Sequence, residues 1–208
     1  MTMKPDLAAG DFAVWATEMK AAIVSRQPVD VPCGPCNVCC KSSQFIHIEP
    51  DEKDALAHID KALLFPAPGL PRGNKLLGYD ERGHCPLLVD ERCTIYAHRP
   101  RTCRTYDCRI FPAASLVPDQ PQVGQHVRRW RFSFGAGGQD QKRAVAAAAA
   151  FLRQHTAELP SVPANPTQLA VLSLLVHGLF LDEKEPTLEA LSTEIKRHTT
   201  RRPEPAAV

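Results

Sequence analysis

The stretch CGPCNVCC, Cys33 to Cys40, puts four cysteines into eight residues. Its first half has the C-x2-C spacing of a redox dithiol. Such a dithiol works at the N-terminus of a helix that follows a buried strand, where the helix end lowers the first thiol's pKa. Here the preceding RQPVDVP, Arg26–Pro32, is polar and broken by prolines, and the chain lacks alternating strands and helices. Metal ligation accounts for more of the residues. With Pro35 in the first turn of a helix, Cys36, Cys39 and Cys40 stand at i, i+3 and i+4 on one face, and Cys33 approaches from the loop before it. Adjacent Cys39 and Cys40 diverge by roughly 100° around a helix. They therefore serve two sites, or one of them is a buried or redox-active spare.

A second group follows in HCPLLVDERCTIYAHRPRTCRTYDCRIFP, His84–Pro112, with Cys85, Cys93, Cys103 and Cys108. All eight cysteines fall between residues 33 and 108, and none in the long stretch after them. The N-terminal segment has no compact apolar core of a signal peptide, which predicts a cytoplasmic protein. In a reducing compartment clustered cysteines bind metal or do redox chemistry more often than they form disulfides. The eight thiols are thus candidate ligands for one or two centres. Tetrahedral all-cysteine zinc and cysteine-bound iron–sulfur clusters draw on the same ligand set, and the sequence does not separate them. Arg92, Arg99, Arg101, Arg104 and Arg109 interleave with the second group. Zinc held by four thiolates is formally 2−, and guanidinium groups would offset that charge and donate N–H to sulfur. The competing reading is that they solvate a turn-rich lobe; Arg99, before Pro100 and near Cys103, is the foremost candidate for supporting the centre.

Composition excludes several classes. With 44% hydrophobic and 23% charged residues the chain is globular, and a net charge of +2 argues against nucleic acid as partner. RRWR, Arg128–Arg131, is too small a basic patch to change that. The longest apolar run, LAVLSLLVHGLFL (Leu169–Leu181), is too short to cross a membrane and reads as core or subunit interface. His47 and His84 are better explained as satisfied or exposed histidines than as ligands, and His98 as a supporting group. Tyr96, Tyr106 and Asp107 lie inside the cysteine stretch without a catalytic pattern. Outside the thiols no general base or nucleophile stands out. GAGG, Gly135–Gly138, is a turn.

Periodicity predicts a helix over 7–25 with Asp11 supporting its start, a strand over 42–50, and a helix over 50–65. It predicts short strands at KLLGYD and at RRWRFSF (128–134), and a hairpin followed by helical pieces after residue 84. Helices at 139–159, 167–181 and 187–198 and a disordered tail over 200–208 complete the reading. The fold class is α+β: a small cysteine-rich metal-binding lobe with short strands, packed against N- and C-terminal helices. Within one domain, residues 1–30 form the N-terminal helix, 31–112 the metal-binding region, and 113–199 a strand and helices.

The ordered set CGPCNVCC, CPLL and CTIYAHRPRTCR with a closing cysteine resembles the YkgJ-type CxxCxxCC proteins, zinc- or iron-chelating domains, over Cys33 to Phe111. By that resemblance Cys33, Cys36, Cys39, Cys40, Cys85, Cys93 and Cys103 occupy the motif's cysteine positions, and Cys108 is placed less firmly by variable spacing. Some relatives resemble flagellin lysine N-methylases, which implies an iron–sulfur-dependent activity on a protein substrate; this sequence shows no methyl-donor site of its own. Three readings follow: a metal-binding protein with a structural or redox-sensing centre, an iron–sulfur protein-modifying enzyme, and a zinc-stabilised adaptor for protein or nucleic acid.

Overall fold

The computed structural model describes residues 5–27, 29, 31, 35–182 and 184–199; Cys33 and the 200–208 tail lie outside them. In chain order the elements are β1 (Leu7–Asp11), α1 (Phe12–Ser25), β2 (Ile46–Ile48), α2 (Lys53–Ala57), β3 (Leu64–Pro66), β4 (Lys75–Leu77), β5 (Leu88–Val89) and β6 (Arg92–Cys93). They continue with α3 (Arg101–Thr105), α4 (Ile110–Ala114), α5 (Pro121–Val127), β7 (Trp130–Ser133), α6 (Gly138–Gln154), α7 (Pro166–Val176) and α8 (Leu188–Thr199). Single 3₁₀ turns occupy Cys39–Lys41, Lys61–Leu63, Tyr96–His98 and His177–Phe180. The class is α+β, as the sequence predicts. The chain divides into two units: one of residues 1–24, 108–119 and 127–208, the other of residues 25–107 and 120–126.

In the first unit, residues 7–11 form a strand rather than the first turns of a helix. β1 pairs in parallel with β7, Leu7 opposite Trp130 and Asp11 opposite Ser133, with the register slipping between Ala8 and Gly10. Gly10 has a φ of +87°, which a side chain would resist. Asp11 ends the strand and starts α1: one carboxylate oxygen accepts from the N–H of Ala13 and Val14, the other from Gly135. These donors hold its pKa below the usual carboxylate value. Phe12 and Trp15 bury against Phe132, with ring centroids 4.9 and 5.0 Å away.

The C-terminal helices make the core of this unit. Ala144, Ala148, Leu152, Leu169, Leu172, Val176, Leu191 and Ile195 form one buried cluster. The alanine-rich face of α6 supplies its flat side, and each buried leucine contributes about 2 kcal/mol of apolar transfer. Helix α6 stops at Gln154 and not Leu159, because Thr156 turns its hydroxyl back onto the carbonyls of Leu152 and Arg153. Asn165 caps α7 by accepting from Thr167 and Gln168, with Pro166 at the first helical position. Seven of the 11 residues of α7 are buried, as expected of a helix apolar nearly all round.

The second unit is built from small pieces. β2, β4 and β3 form an antiparallel sheet in that order, Ile46 opposite Leu77 and Leu64 opposite Leu77. Ile48, Ile59, Leu77 and Ile95 are its buried cluster, with Cys85 and Cys93 packed against it. The helix expected over 50–65 shrinks to one turn and a half. Asp60 accepts from Ala62 and starts a 3₁₀ turn, and Leu64–Pro66 leave as an edge strand. Pairing with β4 outweighs helix propensity there. β5 and β6 make the expected hairpin, with Asp90 and Glu91 both at positive φ in the tight turn.

A candidate thiolate metal centre

The segment from Pro35 to Cys40 is not the helix its spacing suggests. Pro35 sits in a turn, and the regular structure is the single 3₁₀ turn Cys39–Lys41. Ser42, 1% exposed, closes that turn by donating its hydroxyl to the carbonyl of Cys39. Cys36, Cys39 and Cys40 are all half-buried. Of the expected site, Cys33 lies outside the described residues.

Backbone bonds then bring the second cysteine group to the first. The N–H of Cys85 donates to the carbonyl of Cys40 at 2.7 Å, and the N–H of Ser43 to that of Gly83 at 2.9 Å. Gly83 is required twice over: its φ is +77°, and a Cβ there would lie 2.3 Å from the Ser43 hydroxyl. Asp80 shapes this loop by accepting from the backbone N–H of Arg82 and His84. On the far side, Asn37 donates to the carbonyl and carboxylate of Glu91 in the hairpin turn, and Lys41 pairs with the same carboxylate. Cys93 stands on β6 opposite Leu88, whose N–H donates to the carbonyl of Cys85.

Cys103 arrives on α3, and a carboxylate cluster fixes that helix. Arg101 Nη1 meets Glu49 at 2.6 Å and Nη2 meets Asp51 at 2.9 Å, while its backbone N–H donates to buried Glu52. Arg26 pairs with Glu49 as well. Thr102 donates its hydroxyl to the carbonyl of His47 on β2, 2.7 Å away. Arg101 thus faces acids rather than sulfur. The Arg99 guanidinium lies 3.7 Å over the Tyr96 ring and is close enough to favour the thiolates of Cys40 and Cys103. The Nε of Arg104 is buried with no hydrogen-bond partner. Arg109 belongs to the first unit, where it is buried and donates to the carbonyl of Ala9. Arg92 is exposed on the hairpin.

The thiols sense one another. Burial pushes Cys40 up to about 11, and the neighbouring thiols Cys85, Cys93 and Cys36 push in the same direction. Burial pushes Cys103 up to about 12, helped by Cys40, Cys85 and Cys93. Burial raises Cys85 too, with Cys93 adding to it. Five thiols from three segments therefore share one low-dielectric neighbourhood, in which several bare thiolates together are unfavourable and a cation is what would permit them. Among the described residues no three thiol sulfurs lie within 4.8 Å of one another. Sulfurs on one zinc ion stand about 3.8 Å apart, from Zn–S of about 2.3 Å, so ligation draws these side chains inward. The donor set fits a thiolate-bound cation.

Of the other expected residues, Cys108 is in the first unit, 4% exposed, with its Sγ accepting the indole N–H of Trp130 at 3.2 Å. His47 is satisfied by Asn74 at 2.8 Å. His98 faces Asp54. One neighbour escaped the sequence: His126 on α5 places Nε2 3.6 Å from Cys36 Sγ. Ninety residues separate the two, and no spacing rule links them.

Residues 32–123 match the family model CxxCxxCC, described as "Putative zinc- or iron-chelating domain". No curated protein and no solved structure matches the chain. The matched span holds every thiol of the second unit's shared neighbourhood, and no helix among the described residues is long and apolar enough to cross a membrane. Over residues 32–123 the thiol-bearing stretch is thus similar to the CxxCxxCC family model of zinc- or iron-chelating domains.

Proposed function

We propose that the second unit is anchored by zinc or iron bound through the thiolates of Cys36, Cys39, Cys40, Cys85, Cys93 and Cys103, with Cys33 completing the set. The observation that carries this reading is the pair of backbone bonds joining Cys40 to Cys85 and Ser43 to Gly83, which unites two cysteine groups remote in sequence. The role is structural first. The lobe has strands of two or three residues and a small apolar cluster, so ligation energy becomes folding energy. Cys108 stays outside the set in this reading, as a buried thiol paired with an indole.

The test is metal analysis of protein purified without oxygen. About one or two zinc per chain without colour, or iron with matching sulfide and a broad band near about 400 nm, is the expected result. Cys40→Ser and Cys103→Ser lower that content and the unfolding temperature. Full metal occupancy and normal stability in both variants would overturn the ligand set.

A further inference from the structure

Away from the thiols, the second unit gathers a different donor set. Asp54 on α2, His58 at that helix's C-cap and His98 at the end of the 3₁₀ turn Tyr96–His98 each offer one ligand atom, and the three atoms lie within 4.8 Å of one another. Asp54 and His58 are four residues apart on one helical face. His98 is brought to them by the turn that leads into Arg99-Pro100. Its Nδ1–H donates to both oxygens of the Asp54 carboxylate, at 3.1 and 3.0 Å. His58 Nδ1 lies 3.6 Å from the same carboxylate and donates to the Asp54 carbonyl at 2.8 Å. The two imidazoles stack, centroids 3.5 Å apart and planes 6° from parallel.

We propose that Asp54, His58 and His98 form a second metal site, distinct in chemistry from the thiols, that takes a first-row divalent cation such as zinc or nickel. Two imidazoles and one carboxylate suit that class, whereas soft thiolates suit copper(I), zinc and iron–sulfur clusters. Donors on one ion with bonds of about 2.0–2.2 Å stand about 3 Å apart, and the His98–Asp54 separations already have that spacing. The side chains are 41%, 39% and 69% exposed for His58, His98 and Asp54. A cation reaches them without opening the core, the rings have room to fan apart, and water fills the remaining positions. On binding, each ring moves its proton to Nε2, where solvent accepts its hydrogen bond. The proposal rests on nitrogen and oxygen donors, so it stands or falls apart from the thiolate reading.

The test is calorimetric titration of the full chain, carrying its resident metal, with Ni2+ under anaerobic conditions. One equivalent beyond the resident metal is expected, without the near-ultraviolet band of nickel bound to thiolate. His58→Ala, His98→Ala and the near-isosteric Asp54→Asn should each weaken it by about tenfold or more, the least that loss of a ligand should cost, while circular dichroism stays unchanged. No additional equivalent, equal affinity in all three variants, or a thiolate band accompanying the extra nickel would overturn the proposal.

Discussion

Gly83 shows how much a single position decides. Its carbonyl receives the Ser43 N–H, its φ is left-handed, and a methyl group would strike the Ser43 hydroxyl. Gly83→Ala is expected to cost about 1–3 kcal/mol in denaturant unfolding, and to lower metal content because the Cys40–Cys85 junction is adjacent. Unchanged stability and metal content would show that the junction relaxes freely. Arg101 matters in another way. Arg101→Ala removes two carboxylate partners at once and should cost about 1–2 kcal/mol after allowing for the water that reaches Asp51, loosening the helix that carries Cys103. At this scale the sequence was readable where chemistry is carried by residue type: the two cysteine groups come together, Cys108 apart, and Arg99 lies near Cys40 and Cys103. It was silent on His126, whose approach to Cys36 depends on the path of the chain between them. It was silent as well on the Asp54, His58 and His98 group, because His98 joins its partners through a turn and not through a motif.

Elements were legible in proportion to how far local propensity governs them. α8 runs close to its expected range, and α6 and α7 start where expected, since alanine-rich or strongly apolar segments need little help, but each ends five residues early, α7 passing into the 3₁₀ turn His177–Phe180. Replacing the cap of α7, Asn165→Ala, should cost about 1 kcal/mol, read as a shift in the denaturant midpoint with an unchanged slope; no shift would mean that packing alone sets the helix start. The errors lie where pairing wins. Residues 7–11 look helical by period, yet β7 recruits them as a strand. Leu64–Pro66 look like the end of a helix, yet β4 takes them as an edge. Around Cys39 and Cys40 a helical spacing of ligands is realised in a 3₁₀ turn, because backbone groups there are committed to Ser42 and Cys85.

For the whole molecule, burial of the thiols has a consequence in pH. Cys40 and Cys103 are held protonated to about 11 and about 12, against an ordinary 9.0. Below about pH 9 native and unfolded thiols are both protonated, and that contribution to stability is intact. Above it the unfolded chain ionises first, so reduced, metal-stripped protein loses stability until the native thiols ionise in turn. Urea unfolding of that form should give a lower midpoint at about pH 10 than at about pH 8; an equal or higher midpoint would show that these thiols are not held neutral. The parallel pairing of β1 with β7 carries a consequence of another kind. On the ribosome, β1 emerges before β7, and the whole thiol-bearing stretch is made between them. During that interval its backbone edge is open to any strand that comes near, including the β7 of a neighbouring nascent chain. Any delay in making the stretch between them lengthens that exposure.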